Sequence, residues 1–172
     1  RIKEGVKIES RCPTYLDCVN EFRDFQDFVS WSQEEYGYLL RDNGGRTAWA
    51  VDKDILVAGN KVYGPDTCIF VPQEVNGFFT DRQSTHLMGV DLRESGRYRS
   101  KISSNGSQIT LGTFDTELEA HRAWQKAKLS YLEQLILKYK DHKKLVVGLE
   151  KAYSTISDQI EAHRPTISWA IT

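Results

Sequence analysis

Apolar and polar positions alternate with period two over three short runs, Gly89–Arg93, Tyr98–Ser103 and Gln108–Phe114. The separators, ESGR and SNGS, hold the Gly and Asn that accept the positive φ of tight hairpin turns. At Asp115–Thr116 the period changes to 3.6. Thr116 followed by Glu119 is a capping box, each side chain satisfying a backbone N–H at the helix start. Beyond it Leu118, Ala123, Ala127, Leu132, Leu135 and Ile136 recur near helical spacing, and KYKDHKK supplies cations suited to a helix end near Lys140. The pattern predicts a three-stranded antiparallel sheet packed on one long helix. A last helix is predicted from about Leu145 or Gly148 to His163, with Leu149, Tyr153, Ile156 and Ile160 apolar and Pro165 as its stop. The tail TISWAIT reads as a strand, a segment packed on the core, or an interaction edge.

Side-chain alternation assigns the faces of this sheet. Val90, Leu92, Tyr98, Ser100, Ile102, Ile109 and Leu111 point toward the helix, with Asp91 and Arg93 outside. The free face is expected to carry Arg93, Arg97, Arg99, Lys101, Ser103, Gln108 and Thr110. These are residue types that read base edges and hold phosphates: arginine for guanine, glutamine for adenine, lysine for phosphate. The bland alternative is that the face is merely solvated.

The first half reads differently. From Asn20, NEFRDFQDFVSWSQEEYG is helical, with Phe22, Phe25, Phe28, Val29 and Ser32 in one stripe, Trp31 beside them, and a core role expected. Asp24, Asp27, Glu34 and Glu35 form its solvated side. Pro13 and the residues around it read as a turn, and RDNGGRT (41–47) as a loop or hairpin tip. Residues 51–76 pair a segment carrying Asp52-Lys53-Asp54 with a Gly-Asn turn, a Gly-Pro-Asp turn and an extended CIFVP. A short helix over Gln73–Phe79 follows. TDRQSTHLM (80–88) is a polar linker. The expected fold is α+β in three parts: 1–80, 81–140 and 141–172.

Charge sharpens this division. The net charge of −1 hides 9 basic and 13 acidic side chains in residues 1–80, against 12 and 8 in residues 81–144. The positive excess lies where the sheet is predicted, a mild electrostatic footprint for nucleic acid. Cys12, Cys18 and Cys68 make no CxxC pair and are an odd number, so buried reduced thiols are expected rather than a disulfide framework. No apolar run of membrane-spanning length occurs and the first ten residues lack a signal-peptide core. No membrane partner and a cytoplasmic location are expected.

The stretch 89–128 resembles the AP2-type DNA-binding domain. The resemblance is carried by Gly89-Val90, Gly96-Arg97-Tyr98, Ile102, the LGTFDT segment Leu111–Thr116, Glu119-Ala120, Ala123 and Ala127. It implies that the sheet, not the helix, enters the major groove of double-stranded DNA, with no cofactor required. Asp91 and Ser95 depart from the family pattern, which has arginine and tryptophan contacting DNA there.

Residues 51–76 resemble phage proteins related to HNH homing endonucleases, whose ββα-metal motif often precedes an AP2-type domain. Val51-Asp52-Lys53-Asp54, Asn60, Asp66-Thr67-Cys68, Phe70-Val71 and Asn76 carry this resemblance, and the Trp31 helix adds to it. The motif is degenerate. An HNH nuclease needs a histidine as general base and a metal at the leaving group, and Lys53 stands in that histidine's place. An ordinary lysine is protonated at neutral pH and accepts no proton. Asp52 and Asn76 offer oxygen ligands of the type that suits Mg²⁺. His86, His121, His142 and His163 do not replace the base.

Three readings follow. The first is a phage-type DNA-binding protein that docks the sheet without efficient cleavage. The second is a metal-dependent HNH-type endonuclease using Mg²⁺ at Asp52 and Asn76. The third is a protein that occupies a host nucleic-acid enzyme through its acidic N-terminal half.

Overall fold

The computed structural model describes residues 6–7, 17–42, 44–79, 85–104 and 107–167. The expected turn at Pro13, Cys12, residues 80–84 of the linker, the Asn105-Gly106 hairpin tip and the last five tail residues lie outside the described residues. The chain is mixed α+β and forms two compact units that divide between Asn76 and Gly77.

In the first unit β1 (Val6–Lys7) runs antiparallel to β2 (Val19–Asn20), and β2 runs parallel to β4 (Val62–Tyr63). A separate antiparallel pair joins β3 (Trp49–Asp52) to β5 (Ile69–Pro72). Helix α1 spans Phe25–Glu34, and α2 (Gln73–Phe78) follows β5 directly. The expected start of α1 at Asn20 is corrected. Asn20 belongs to β2, and Asp24 caps the helix by accepting the Asp27 N–H at 2.8 Å. The aromatic stripe is corrected with it, since Phe25 is 72% exposed. Phe22, outside the helix, fills the place against Phe28 and Trp31 instead, with ring centroids 5.2 and 5.1 Å away. Trp31 in turn stacks on Phe70 of β5 at 5.7 Å. Where a loop or hairpin tip is expected, Arg41 and Thr47 pair in an antiparallel bridge. Cys18 and Cys68 are buried free thiols, and burial pushes the Cys68 thiol up.

In the second unit β6 (Val90–Leu92), β7 (Tyr98–Ser104) and β8 (Ser107–Phe114) form an antiparallel sheet in chain order. Helix α3 (Glu117–Lys138) begins with the capping box, both reciprocal bonds being present at Thr116 and Glu119. It packs against all three strands and against α4 (Lys143–Glu161). Val90, Ser100 and Ile102 are buried on the helix side of the sheet. Leu92 and Ile109, expected inside, are 49% and 50% exposed. Both sit on edge strands, where the helix covers less.

The buried stripe of α3 also departs from the apolar positions that suggested it. Leu118 is exposed, while Ala120, His121, Trp124, Gln125, Lys128, Leu132 and Leu135 are buried. Three of these are polar, and each is satisfied. His121 Nδ1 lies 2.9 Å from the Met88 carbonyl, and its Nε2 accepts the Thr166 N–H at 2.9 Å. That pairing selects the neutral ring protonated at Nδ1. Gln125 donates to the Arg164 carbonyl and to Thr166 Oγ1 at 3.0 and 3.1 Å. Lys128 donates to the Phe78 carbonyl at 2.9 Å and lies 3.5 Å from the Phe78 ring centroid. Of the tail, Thr166 is therefore packed on α3.

The sheet enters this seam at Gly89. Its φ is +74°, and a Cβ there would lie 1.9 Å from Trp124 Cδ1. Gly96 has a similar φ of +78° with nothing within 4 Å of a Cβ. Gly96→Ala should therefore cost about 1–2 kcal/mol of backbone strain, and Gly89→Ala more than about 3 kcal/mol, because overpacking adds to it. Urea unfolding of both variants checks this, and equal losses would refute the close approach.

Burial holds the His121 ring below the ordinary histidine pKa, against the opposing pull of the Met88 bond and Glu117. With the folded value depressed, its contribution to stability is full above the unfolded value of about 6.5 and is lost as pH falls below it. Unfolding free energy measured at pH 7, 6 and 5 should fall more steeply for the wild type than for His121→Gln. Parallel profiles would exclude the assignment.

Candidate nucleic-acid interface

The register of β7 with β8 decides which side chains share the outer face. Arg99 pairs with Thr113, Lys101 with Thr110 and Ser103 with Gln108. Between Ser100 and Lys101 the register shifts, because Ser100 pairs with Gly112 and leaves Leu111 as an extra residue. This bulge reverses the parity of β8 beyond it. Thr113 therefore joins the outer face, a position that alternation counted from Ile109 assigns to the inside. The neighbouring Gly112 is the only sequence signal for the bulge.

Arg99, Lys101, Ser103, Gln108 and Thr110 thus share one face, as alternation predicts. Arg93 and Arg97 lie at its end, in the exposed turn between β6 and β7, where the Arg93 N–H donates to the Arg97 carbonyl at 2.8 Å. Arg97 donates from Nε to Asp115 Oδ1 at 2.9 Å and from Nη2 to the Thr113 carbonyl at 3.2 Å.

Two carboxylates change the electrostatics. Asp91 pairs directly across from Arg99. Arg99 Nε donates to Asp91 Oδ1 at 2.9 Å, Arg99 Nη2 bonds Asp91 Oδ2, and Lys101 Nζ reaches the same Oδ2 at 3.3 Å. The Arg99 hydrogen bond, with help from Lys101, holds the Asp91 carboxyl below the usual carboxylate range, and Asp91 raises Arg99 in return. The face therefore carries four cations, Arg93, Arg97, Arg99 and Lys101, and two carboxylates, Asp91 and Asp115. The pairing was legible as opposite charges at facing positions once the β6–β7 turn is counted.

The stretch around Lys53 is held by a network of hydrogen bonds. Lys53 is 5% exposed. Its Nζ donates to both Asp54 oxygens at 2.7 Å and to the Asn60 carbonyl at 2.6 Å. Asn60 returns a bond from Nδ2 to the Lys53 carbonyl at 3.0 Å and also brackets Val62. Three acceptors around one amino group leave no lone pair turned toward a water. Asp52 Oδ1 accepts the Asp54 and Ile55 N–H groups at 2.8 and 2.7 Å, ending β3 in a turn. Burial raises the Asp52 carboxyl, partly offset by those two bonds.

Asp52 pairs with Ile69 and Trp49 with Pro72, so Asp52 stands about 10 Å along the strand from the end where α2 and Asn76 begin. Among the described residues no cluster of three or more His, Cys, Asp and Glu side chains could hold a metal ion. Asp52, with an oxygen already given to two amides, is a poor fit to a metal ligand.

No helix among the described residues is long and apolar enough to cross a membrane. Comparison with protein-family models, with curated proteins and with solved structures gives no match.

Lys53→Met should lower stability by about 1–3 kcal/mol, because the Asn60 carbonyl loses its buried donor and Asp54 its partner. Chemical denaturation checks this. An unchanged midpoint would mean that the lysine is not structural.

Proposed function

We propose that the chain binds double-stranded DNA by laying the outer face of β6–β8 in the major groove, and that residues 51–76 perform no hydrolytic step. One observation carries the reading. Arg99, Lys101, Ser103, Gln108 and Thr110 share a face of a sheet whose other face is closed by α3, so their polar ends point away from the core. Strands β7 and β8 carry all five, and a two-stranded ribbon is of a width that the major groove, about 12 Å across, admits. The resemblance of Gly89–Ala127 to AP2-type domains supports the same mode. The network around Lys53 supports a scaffold role for the first unit, since it leaves no general base there.

With four cations opposed by two carboxylates, the electrostatic part of binding is small. Two to four phosphate contacts correspond to a slope of roughly −2 to −4 for log K against log salt.

The test is retardation of random-sequence duplex at rising salt, first with EDTA and then with Mg²⁺. Retarded, uncut DNA released by salt is expected, and Arg99→Glu with Lys101→Glu should weaken binding by about a hundredfold or more. Unchanged retardation in the double variant would remove DNA binding from this face. Metal-dependent nicking that Asp52→Ala abolishes would overturn the non-hydrolytic part.

A further inference from the structure

Asp91 has a consequence beyond charge. A guanidinium carries five N–H donors in one plane: one on Nε and two on each Nη. Asp91 takes the side edge, Nε with one Nη2 hydrogen. This leaves the end edge, formed by Nη1 and the second Nη2 hydrogen, without an acceptor among the described residues. Two parallel donors on that edge match O6 and N7 of guanine in the major groove. A carboxylate on the end edge would have consumed this fork, whereas a carboxylate on the side edge locks the plane and spares it. Arg99 is central to the sheet, on the middle strand, with Thr113 beside it and no bulky neighbour in register. Lys101 also binds Asp91 Oδ2, so the carboxylate is fixed from a second side and its own rotation is limited.

We infer that Asp91 is a positioning residue that holds Arg99 end-on for a guanine edge, so that the face selects guanine at one position of a duplex. The inference rests on the proposed DNA-binding reading. Arg99 is the reading group and Asp91 acts through it. Asp91 carries negative charge toward the phosphates, so it lowers non-specific affinity while raising discrimination. A carboxylate with no positioning role would do only the first.

These two effects move in opposite directions when Asp91 is removed, which makes the test decisive. A randomised duplex library is bound to the wild type, Asp91→Ala, Asp91→Asn and Arg99→Lys. The enriched sequences are counted, and thermal unfolding confirms that each variant is folded. The wild type should enrich guanine at one position by about tenfold or more over other bases, the discrimination expected of one bidentate pair. Asp91→Ala should bind total duplex as tightly or more tightly, with that preference reduced several-fold. Asp91→Asn, which keeps the shape but loses the charge that orders both donors, should fall between. Arg99→Lys should lose the preference.

Retained guanine preference in both Asp91 variants would overturn the positioning role. Duplex binding by the wild type with no base preference would overturn it too, leaving DNA binding intact. Failure of the wild type to bind any duplex overturns the DNA-binding reading itself, and this inference with it.

Discussion

The contact on which the second unit depends is the seam between residues 87–90 and helix α3. Glu117, His121 and Trp124 lie on successive turns of one helix face. They accept the Leu87 N–H, bond the Met88 carbonyl and press against the Gly89 backbone. Three consecutive residues of the incoming chain are thereby placed before the first strand begins. Because Gly89 has no side chain, β6 starts in van der Waals contact with the indole, and the parity of the sheet is fixed from there. A slip of one residue would turn Val90 and Ile102 outward and bring Arg99 and Lys101 under the helix. The same histidine then accepts Thr166 from its other nitrogen, so one ring joins the sheet, the helix and the returning tail. Burying polar groups is costly unless they are paired. The pairing of His121, Gln125 and Lys128 here makes the arrangement specific, since another register would strand these donors and acceptors in the core.

That seam determines what the outer face can do. With α3 closing one side, the side chains of the other parity are directed to solvent. The face is not a simple cationic patch. Asp91 and Asp115 each engage an arginine, so long-range attraction to phosphate is weakened while local order is gained. The Arg97–Asp115 pair is exposed and the Asp91–Arg99 pair only half-buried, and ion pairs open to solvent contribute little to stability. What they do contribute is orientation of flexible side chains, whose entropy would otherwise be lost on contact with a ligand. On the proposed DNA-binding reading, a face with order of this kind would favour geometry-dependent recognition over tight, indiscriminate binding.

Much of this was legible in the residues. The three strands, the change of period at Asp115 and the capping box are set by local chemistry, and the structure has them within a residue or so. The five outer-face residues of β7 and β8 follow from alternation alone. What was not legible depends on tertiary pairing. The α3 stripe looked apolar at Leu118, Ala123 and Ala127. The buried face instead lies at His121, Gln125 and Lys128, because acceptors from residues 88, 164–166 and 78 make polar burial affordable. That Thr113 joins the outer face was not legible, because the one bulge residue that reverses parity has no strong signature. Phe25 was assigned to the core because the helical period was extended through Asn20, a residue that β2 had taken.

The stretch around Lys53 is organised by one lysine that serves as a hydrogen-bonding hub. A general base needs a lone pair aimed at a water and room for that water. At this position the side chain instead fills the site itself, joining Asp54 to the Asn60 carbonyl across a turn of seven residues. Asn60 answers from the opposite side through the Lys53 carbonyl, so the pair closes a ring of bonds that holds β3 to the start of β4. Neither partner can leave without depriving a carbonyl of its donor. Lys53 is therefore the residue that keeps this turn closed, and a histidine in its place would have to replace three hydrogen bonds with the two that an imidazole ring can make.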